Sequence, residues 1–296
     1  MRGAERGFLL LSSCLGDPMR KPLSTAQMRI LSDRAWKLEF PMEERELEIA
    51  DLIALGYGRQ MAARILKLLS EGVVLDHYLQ IARRKDCVPL TRISQGYPLV
   101  LRQRLALESP GVLWAKGDLE LLNNPKIALV GSRDLMEENA AFAREVGRQA
   151  ALQGYTLVSG NARGADRTAQ DACLEAGGCV IVVVADSLAQ QKEQERVLYL
   201  SEEDYDQEFS AQRALSRNRI IHALGEMTFV AQSSYQTGGT WDGTVRNLRG
   251  QWSNVYCFQD GSVVAQQLCQ MGASPVSLQD LQYFCKLCPE TASLFD

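Results

Sequence analysis

The chain has 296 residues, 46% of them apolar and 23% charged, a balance that excludes a disordered or low-complexity chain and provides enough apolar surface for a substantial core. Its formal net charge is -4, which excludes a uniformly basic body. A nucleic-acid site, if the chain has one, must be a local basic pocket on an acidic protein.

The first segment carries Arg2 and Arg6 ahead of Phe8-Leu9-Leu10-Leu11-Ser12-Ser13-Cys14. This resembles a lipoprotein signal, but the apolar stretch is short against the roughly 7–15 residues of such a region, and it reads instead as the first helix of a small domain. Ser24 is placed to cap a helix through Met28, Ile30, Leu31 and Trp36. A second helix is expected over Glu43 to Leu55, stopped by Gly56-Tyr57-Gly58, and a third over Gln60 to Leu69, striped by Ile65, Leu66, Leu68 and Leu69. The glycine turn suits a helix-hairpin-helix or SAM-like unit whose loop amides could meet a nucleic-acid backbone; it suits an ordinary turn equally well. Residues 1–88 therefore read as an N-terminal all-helical domain, and residues 89–296 as a second domain. Residues 89–124 read as a connector, with turns at Gly96-Tyr97-Pro98 and Ser109-Pro110-Gly111 and a short edge strand over Val112 to Ala115.

From Lys126 the pattern alternates. Strands are expected at Ile127 to Val130, Thr156 to Val158, within the apolar run Cys179 to Ala185, at Met227 to Ala231 and at Asn254 to Phe258. Helices are expected at Glu137 to Gln153, at Ala165 to Ala176 and between the last two strands. Strand–helix repetition predicts an α/β fold with a Rossmann-like, doubly wound, mostly parallel sheet. No 18-residue apolar run occurs, so no membrane span is expected. The eight cysteines are scattered and read as reduced thiols of a cytoplasmic protein. Cys285 and Cys288 form a lone CxxC without a second ligand pair, so no metal is expected.

Ligands of such sheets lie beyond the carboxyl ends of the strands, which directs attention to four loops. The first is Gly131-Ser132-Arg133-Asp134, and the second is Ser159-Gly160-Asn161-Ala162-Arg163-Gly164-Ala165-Asp166. Both follow a strand and open a helix, offering bare amides, a hydroxyl and a guanidinium fork to phosphate oxygens. The third segment holds Arg213, Arg217, Asn218 and Arg219, downstream of Glu202, Glu203, Asp204 and Asp206. Its arginines repel one another unless an anion or those carboxylates sit among them. The fourth is Tyr235-Gln236-Thr237-Gly238-Gly239-Thr240-Trp241, whose glycines can form an anion nest and whose rings can stack on bases or pack in the core. No dinucleotide fingerprint, P-loop or Ser-His-Asp set is present. His77 and His222 are the only histidines; neither sits among these loops in a way that marks a base, so no catalytic residue and no cofactor is assigned.

In their order and spacing, Lys126 to Arg133, Leu157 to Asp166, Ala176-Gly177-Gly178 and Ser216 to Ile221 resemble the motifs of the DNA-processing protein A (DprA/Smf) family. Tyr97-Pro98 and Leu113 to Gly117 resemble its opening segment, and Gly261 to Pro275 its closing helix. The resemblance spans about residues 50 to 278. It implies an extended Rossmann domain that binds and protects single-stranded DNA, dimerises, and hands the strand to a bacterial recombinase during DNA uptake. It would place Gly131, Ser132, Arg133, Ser159, Gly160, Arg163, Gly164, Asp166, Arg217, Asn218 and Arg219 at the DNA, beside the Arg213, Gln236, Gly238, Gly239 and Thr240 singled out above.

Departures from that pattern are specific. Gln236-Thr237-Gly238-Gly239 stands where a lysine-led Lys-Ser-Gly-Ser-like stretch is usual, Ala185-Asp186-Ser187-Leu188 replaces the Gly-Leu-Asp and Tyr-Pro turn, and no winged helix is expected after the Rossmann unit. An alternative reading is a nucleotide-derivative sensor or enzyme, because Gly238 to Thr244 resembles the glycine–threonine loop of lysine-decarboxylase-like phosphoribohydrolases, with Asp242 as its nearby acid. The DNA reading requires the guanidinium groups to converge; arginines facing apart, or each held by its own carboxylate, would overturn it.

Overall fold

The computed structural model describes residues 1–36 and 47–287. Its centre is a nine-stranded sheet: β1 (Val88–Thr91), β2 (Val112–Gly117), β3 (Lys126–Val130), β4 (Thr156–Ser159), β5 (Val180–Val183), β6 (Val197–Ser201), β7 (Met227–Val230), β8 (Asn254–Phe258) and β9 (Ser274–Val276). The spatial order is β1-β2-β6-β5-β4-β3-β7-β8-β9. β2 runs antiparallel to both β1 and β6, and every other pairing is parallel. This is the Rossmann-like, doubly wound α/β architecture the alternating pattern predicts.

Period-two alternation explains why the parallel strands read as unbroken apolar runs. Ile127 and Leu129 face one core with Phe142, Val146, Ala169 and Cys173, while Ala128 and Val130 face the other with Ile220, Ile221 and Leu224. The first core lies under α7 (Glu137–Leu152) and α8 (Ala165–Glu175). The second lies under α6 (Leu99–Leu105), α10 (Asn218–Leu224), α11 (Gly238–Gly250) and α12 (Val263–Gln270).

The sheet differs from the sequence expectation in three places. Val112–Gly117 is not an edge strand: β1 lies outside it, and its first five residues are buried. β6 follows the polar run Gln190 to Arg196 and was not expected, yet all five of its residues are buried. β9 contains Pro275 and lies at the far edge, where a missing N–H leaves no ladder bond unmade.

The N-terminal part is helical: α1 (Gly3–Ser12), α2 (Thr25–Ala35), α3 (Ile49–Ala54), α4 (Arg59–Leu69) and α5 (Gly72–Arg84). Ser24 caps α2, accepting from the Gln27 amide at 3.2 Å. The part of the expected Glu43 to Leu55 helix before Leu47, and Cys288 of the CxxC, lie outside the described residues. This segment shares its core with the sheet. Leu9, Leu10, Leu75 and Leu79 join the α7–α8 core, and Tyr78 of α5 packs edge-on to Trp114 of β2 with ring centroids 5.7 Å apart. A smaller cluster of Leu11, Leu23, Leu52, Ala62, Ile65 and Leu68 binds the helices to one another. No helix among the described residues is long and apolar enough to cross a membrane.

Candidate anion-binding site

The chain leaves β3 toward β4, β5 and β6 on one side, then returns to build β7, β8 and β9 on the other. The strand order therefore reverses beside β3, and the loops after β3, β4 and β7 open at that crevice.

Backbone contacts lock these loops together. Gly164 has φ +84°, and a Cβ there would collide with the Ser132 and Arg133 carbonyls, so only glycine lets the second loop close against the first. The Ala165 amide donates to the Ser132 carbonyl at 3.1 Å. Thr240 Oγ1 donates to the Gly131 carbonyl at 2.9 Å, tying the start of α11 to the end of β3. Asn218 Nδ2 donates to the Gly239 carbonyl at 2.9 Å, tying α10 to α11. Ser159 is buried and accepts from Gln170 Nε2 at 2.7 Å, so its hydroxyl braces the loop rather than facing solvent.

The arginines divide into two groups. Arg217 is buried against Gly160, so closely that a Cβ at residue 160 would overlap its guanidinium. Its only carboxylate partner among the described residues is Asp166, at 3.7 Å, and its Nε has no hydrogen-bond partner. Burial pushes the Arg217 guanidinium below its ordinary value and the Asp166 carboxyl above its own, although the two charges support each other. The Ala162 amide donates to Asp166 at 3.2 Å and fixes the acid in place. Arg133 is exposed and forms no ion pair among the described residues. Arg163 is exposed and meets Asp134, equally exposed, at 2.8 Å, a pairing that water readily exchanges. Arg133, Arg163 and Arg217 line one pocket of about 360 Å³ with Asn161, Asp186 and Phe209.

Arg213 and Arg219, expected among the phosphate contacts, are committed elsewhere. Arg213 donates to the carbonyls of Ala185 (2.9 Å), Gln207 (2.8 Å) and Glu208 (2.6 Å) and pairs with Glu203 at 2.9 Å. Arg219 pairs with Glu202 at 2.5 Å and donates to the Glu108 and Ser216 carbonyls. With these donors used inside the fold, both lie outside the lining shared by Arg133, Arg163 and Arg217. The carboxylates upstream of them, Glu202 and Glu203, are the partners that hold them.

In the fourth loop, Gln236 is exposed, with φ +51° and its amide on the Tyr235 hydroxyl at 3.0 Å. Tyr235 and Trp241 meet edge to face at 5.3 Å, and Trp241 also packs against the core, so the two rings brace each other. Gln236, Gly238, Gly239 and Thr240 lie outside the pocket lining. Asp242 is exposed on α11. His222 is fully buried, accepts from Asn247 at Nδ1 (3.1 Å), and is pushed by burial down to about 3, which makes it a neutral core residue. Ala185, Asp186 and Ala214 line the pocket without having been assigned to the site, and Phe209, 59% exposed beside three guanidiniums, is the aromatic that sequence reasoning missed. Its signal was weak: a lone aromatic in a polar stretch.

A doubly wound sheet with arginines gathered at its reversal point defines a Rossmann-like protein with a cationic crevice at its strand ends. The chain belongs to the DNA recombination-mediator protein A family, whose model matches residues 89–282. It is 33% identical over 145 residues to the DNA processing protein DprA of Streptococcus pneumoniae, covering 44% of this chain and 50% of that protein. The chain spans about half the length of the curated relatives it matches. The X-ray structure of the Streptococcus pneumoniae protein superposes with a TM-score of 0.65 at 24% identity, covering 86% of this chain and 90% of that one. A Helicobacter pylori DNA processing protein A, described for its single-stranded DNA binding mode, superposes with a TM-score of 0.57 at 22% identity, covering 68% of this chain and 94% of that one. These superpositions establish the shared fold.

Proposed function

We propose that the crevice binds single-stranded DNA, with Arg133, Arg163 and Arg217 on its phosphates, and that the protein serves DNA uptake and recombination by holding the strand without chemistry on it. The observation that carries this reading is Arg217: a buried guanidinium with one carboxylate at 3.7 Å, lining a pocket with two more arginines. Burying a cation with incomplete pairing is costly, and an arriving phosphate removes that cost. Family membership and the single-stranded DNA binding described for the Helicobacter pylori relative support the choice of ligand. Gly131, Ser132, Ser159, Gly160, Gly164, Asp166, Asn218 and Thr240 then act by shaping the crevice. A homodimer, delivery to a recombinase and a cytoplasmic location belong to the same proposal.

Fluorescence anisotropy with labelled oligo-dT tests it. The intact chain binds at low salt, and Arg133→Ala weakens binding about ten-fold or more at an unchanged unfolding temperature. No binding at low salt, or unchanged affinity in Arg133→Ala, rejects the site.

A further inference from the structure

The loops after β4 and β5 bring two hydrogen-bond acceptors to the strand-end crevice. Asn161 and Asp186 line the same pocket as Arg133, Arg163 and Arg217, and Gln191 bridges them. We propose that these acceptors make the crevice select guanine among the bases of a bound strand, with Asp186 as the residue that decides.

The bridge fixes which atoms are presented. The Asp186 carboxylate only accepts, so Gln191 turns Nε2 toward its Oδ1, at 3.2 Å, and the same Nε2 donates to the Ser187 carbonyl at 3.1 Å. Gln191 Oε1 is left facing Asn161, which answers with Nδ2 at 3.4 Å. Asn161 Oδ1 is therefore the free atom of that amide. Neither Asn161 Oδ1 nor Asp186 Oδ2 has a hydrogen-bond partner among the described residues, both side chains are part-exposed, and both atoms remain open to solvent. The pocket arginines take their ion pairs elsewhere, Arg163 with Asp134 and Arg217 with Asp166, so the Asp186 carboxylate stays available.

A carboxylate repels the phosphates that the arginines attract, so what it offers a strand is acceptance from base N–H groups. On its Watson–Crick edge guanine sets two such donors side by side, the ring N1–H and the exocyclic amine, and the pair matches the two oxygens of a carboxylate. Oδ1 accepts once from Gln191 and keeps a second lone pair, so both oxygens of Asp186 can take part. Cytosine and adenine offer one amino donor beside a ring nitrogen that is itself an acceptor, and thymine offers one N–H between two carbonyl oxygens. Each of these sets an acceptor against the Asp186 charge. Asn161 Oδ1 adds another acceptor to the lining, and Phe209, 59% exposed in the same pocket, supplies a face for the base.

This inference rests on the DNA reading of the crevice, and its test keeps the two apart. Anisotropy at low salt compares labelled oligo-dT with the same oligomer carrying isolated guanines, and with inosine in the guanine positions. The guanine oligomer should bind about ten-fold tighter than oligo-dT, and inosine, which lacks the exocyclic amine, should lose most of that gain. Asp186→Asn should remove the advantage of guanine while oligo-dT binds at least as tightly as it does to the intact chain. Oligo-dT bound as tightly as the guanine oligomer, or an advantage that survives Asp186→Asn, overturns the selectivity and leaves the DNA reading standing. Binding of no oligomer at low salt overturns both.

Discussion

At the scale of single residues, Gly160 and Arg217 form one device. The absent side chain of the glycine is the space the guanidinium occupies. Gly160→Ala should therefore displace Arg217, costing about 1–3 kcal/mol of stability through overpacking and weakening oligo-dT binding about as much as Arg217→Ala. Denaturant unfolding and anisotropy on the same preparations check both. His222 makes a pH prediction. Burial holds it near 3 in the fold, against an ordinary value of about 6.5. Between those values the unfolded chain binds the extra proton, so stability rises with pH and is lost as pH falls below about 6.5, by up to about 1.4 kcal/mol per unit. Urea unfolding at pH 7 and pH 5 should show the loss, and His222→Gln should flatten it.

At the scale of elements, the short helix α9 (Ala211–Ser216) and α10 after it carry three arginines with different duties. Arg213 lies inward, seated on Ala185, Gln207 and Glu208, and ties the end of β5 to the segment after β6. Arg219 ties the same helix pair to Glu202 and Glu108. Arg217, between them, lines the crevice pocket. Arg213→Ala should cost about 2–4 kcal/mol, because it leaves carbonyls and a carboxylate without their donor, while oligo-dT affinity of the folded protein changes less than about three-fold. A large loss of affinity at unchanged stability would return Arg213 to the phosphate set.

At the scale of the whole molecule, an acidic chain with net charge -4 presents its cations locally. With three arginines on phosphate, the plot of log affinity against log salt concentration should have a slope of about -2, against about -3.5 if Arg213 and Arg219 also took part. Anisotropy across a salt series measures it. The helical segment belongs to this scale as well. Its Leu9, Leu75, Tyr78 and Leu79 complete a core that the sheet cannot cover alone, so the two halves fold against each other.

The parallel strands, their helices and the glycine-bearing loops were legible in the sequence because each is a local pattern: an apolar run such as Ile127 to Val130, then a turn, then a periodic helix. The capped start of α2 at Ser24 was legible for the same reason. Three kinds of feature were not. β6 hides behind a polar run because its neighbours in space, β2 and β5, bury it, and β2 is interior only because β1 pairs outside it. Phe209 belongs to the pocket only because the segment after β6 returns to the strand ends. Above all, the sequence determined that arginines and glycines would collect at strand ends, since composition and spacing are enough for that. Which arginines keep a free face was decided by tertiary structure. A guanidinium goes to whatever acceptors the fold brings within reach, and for Arg213 and Arg219 those acceptors were the protein's own carbonyls and carboxylates.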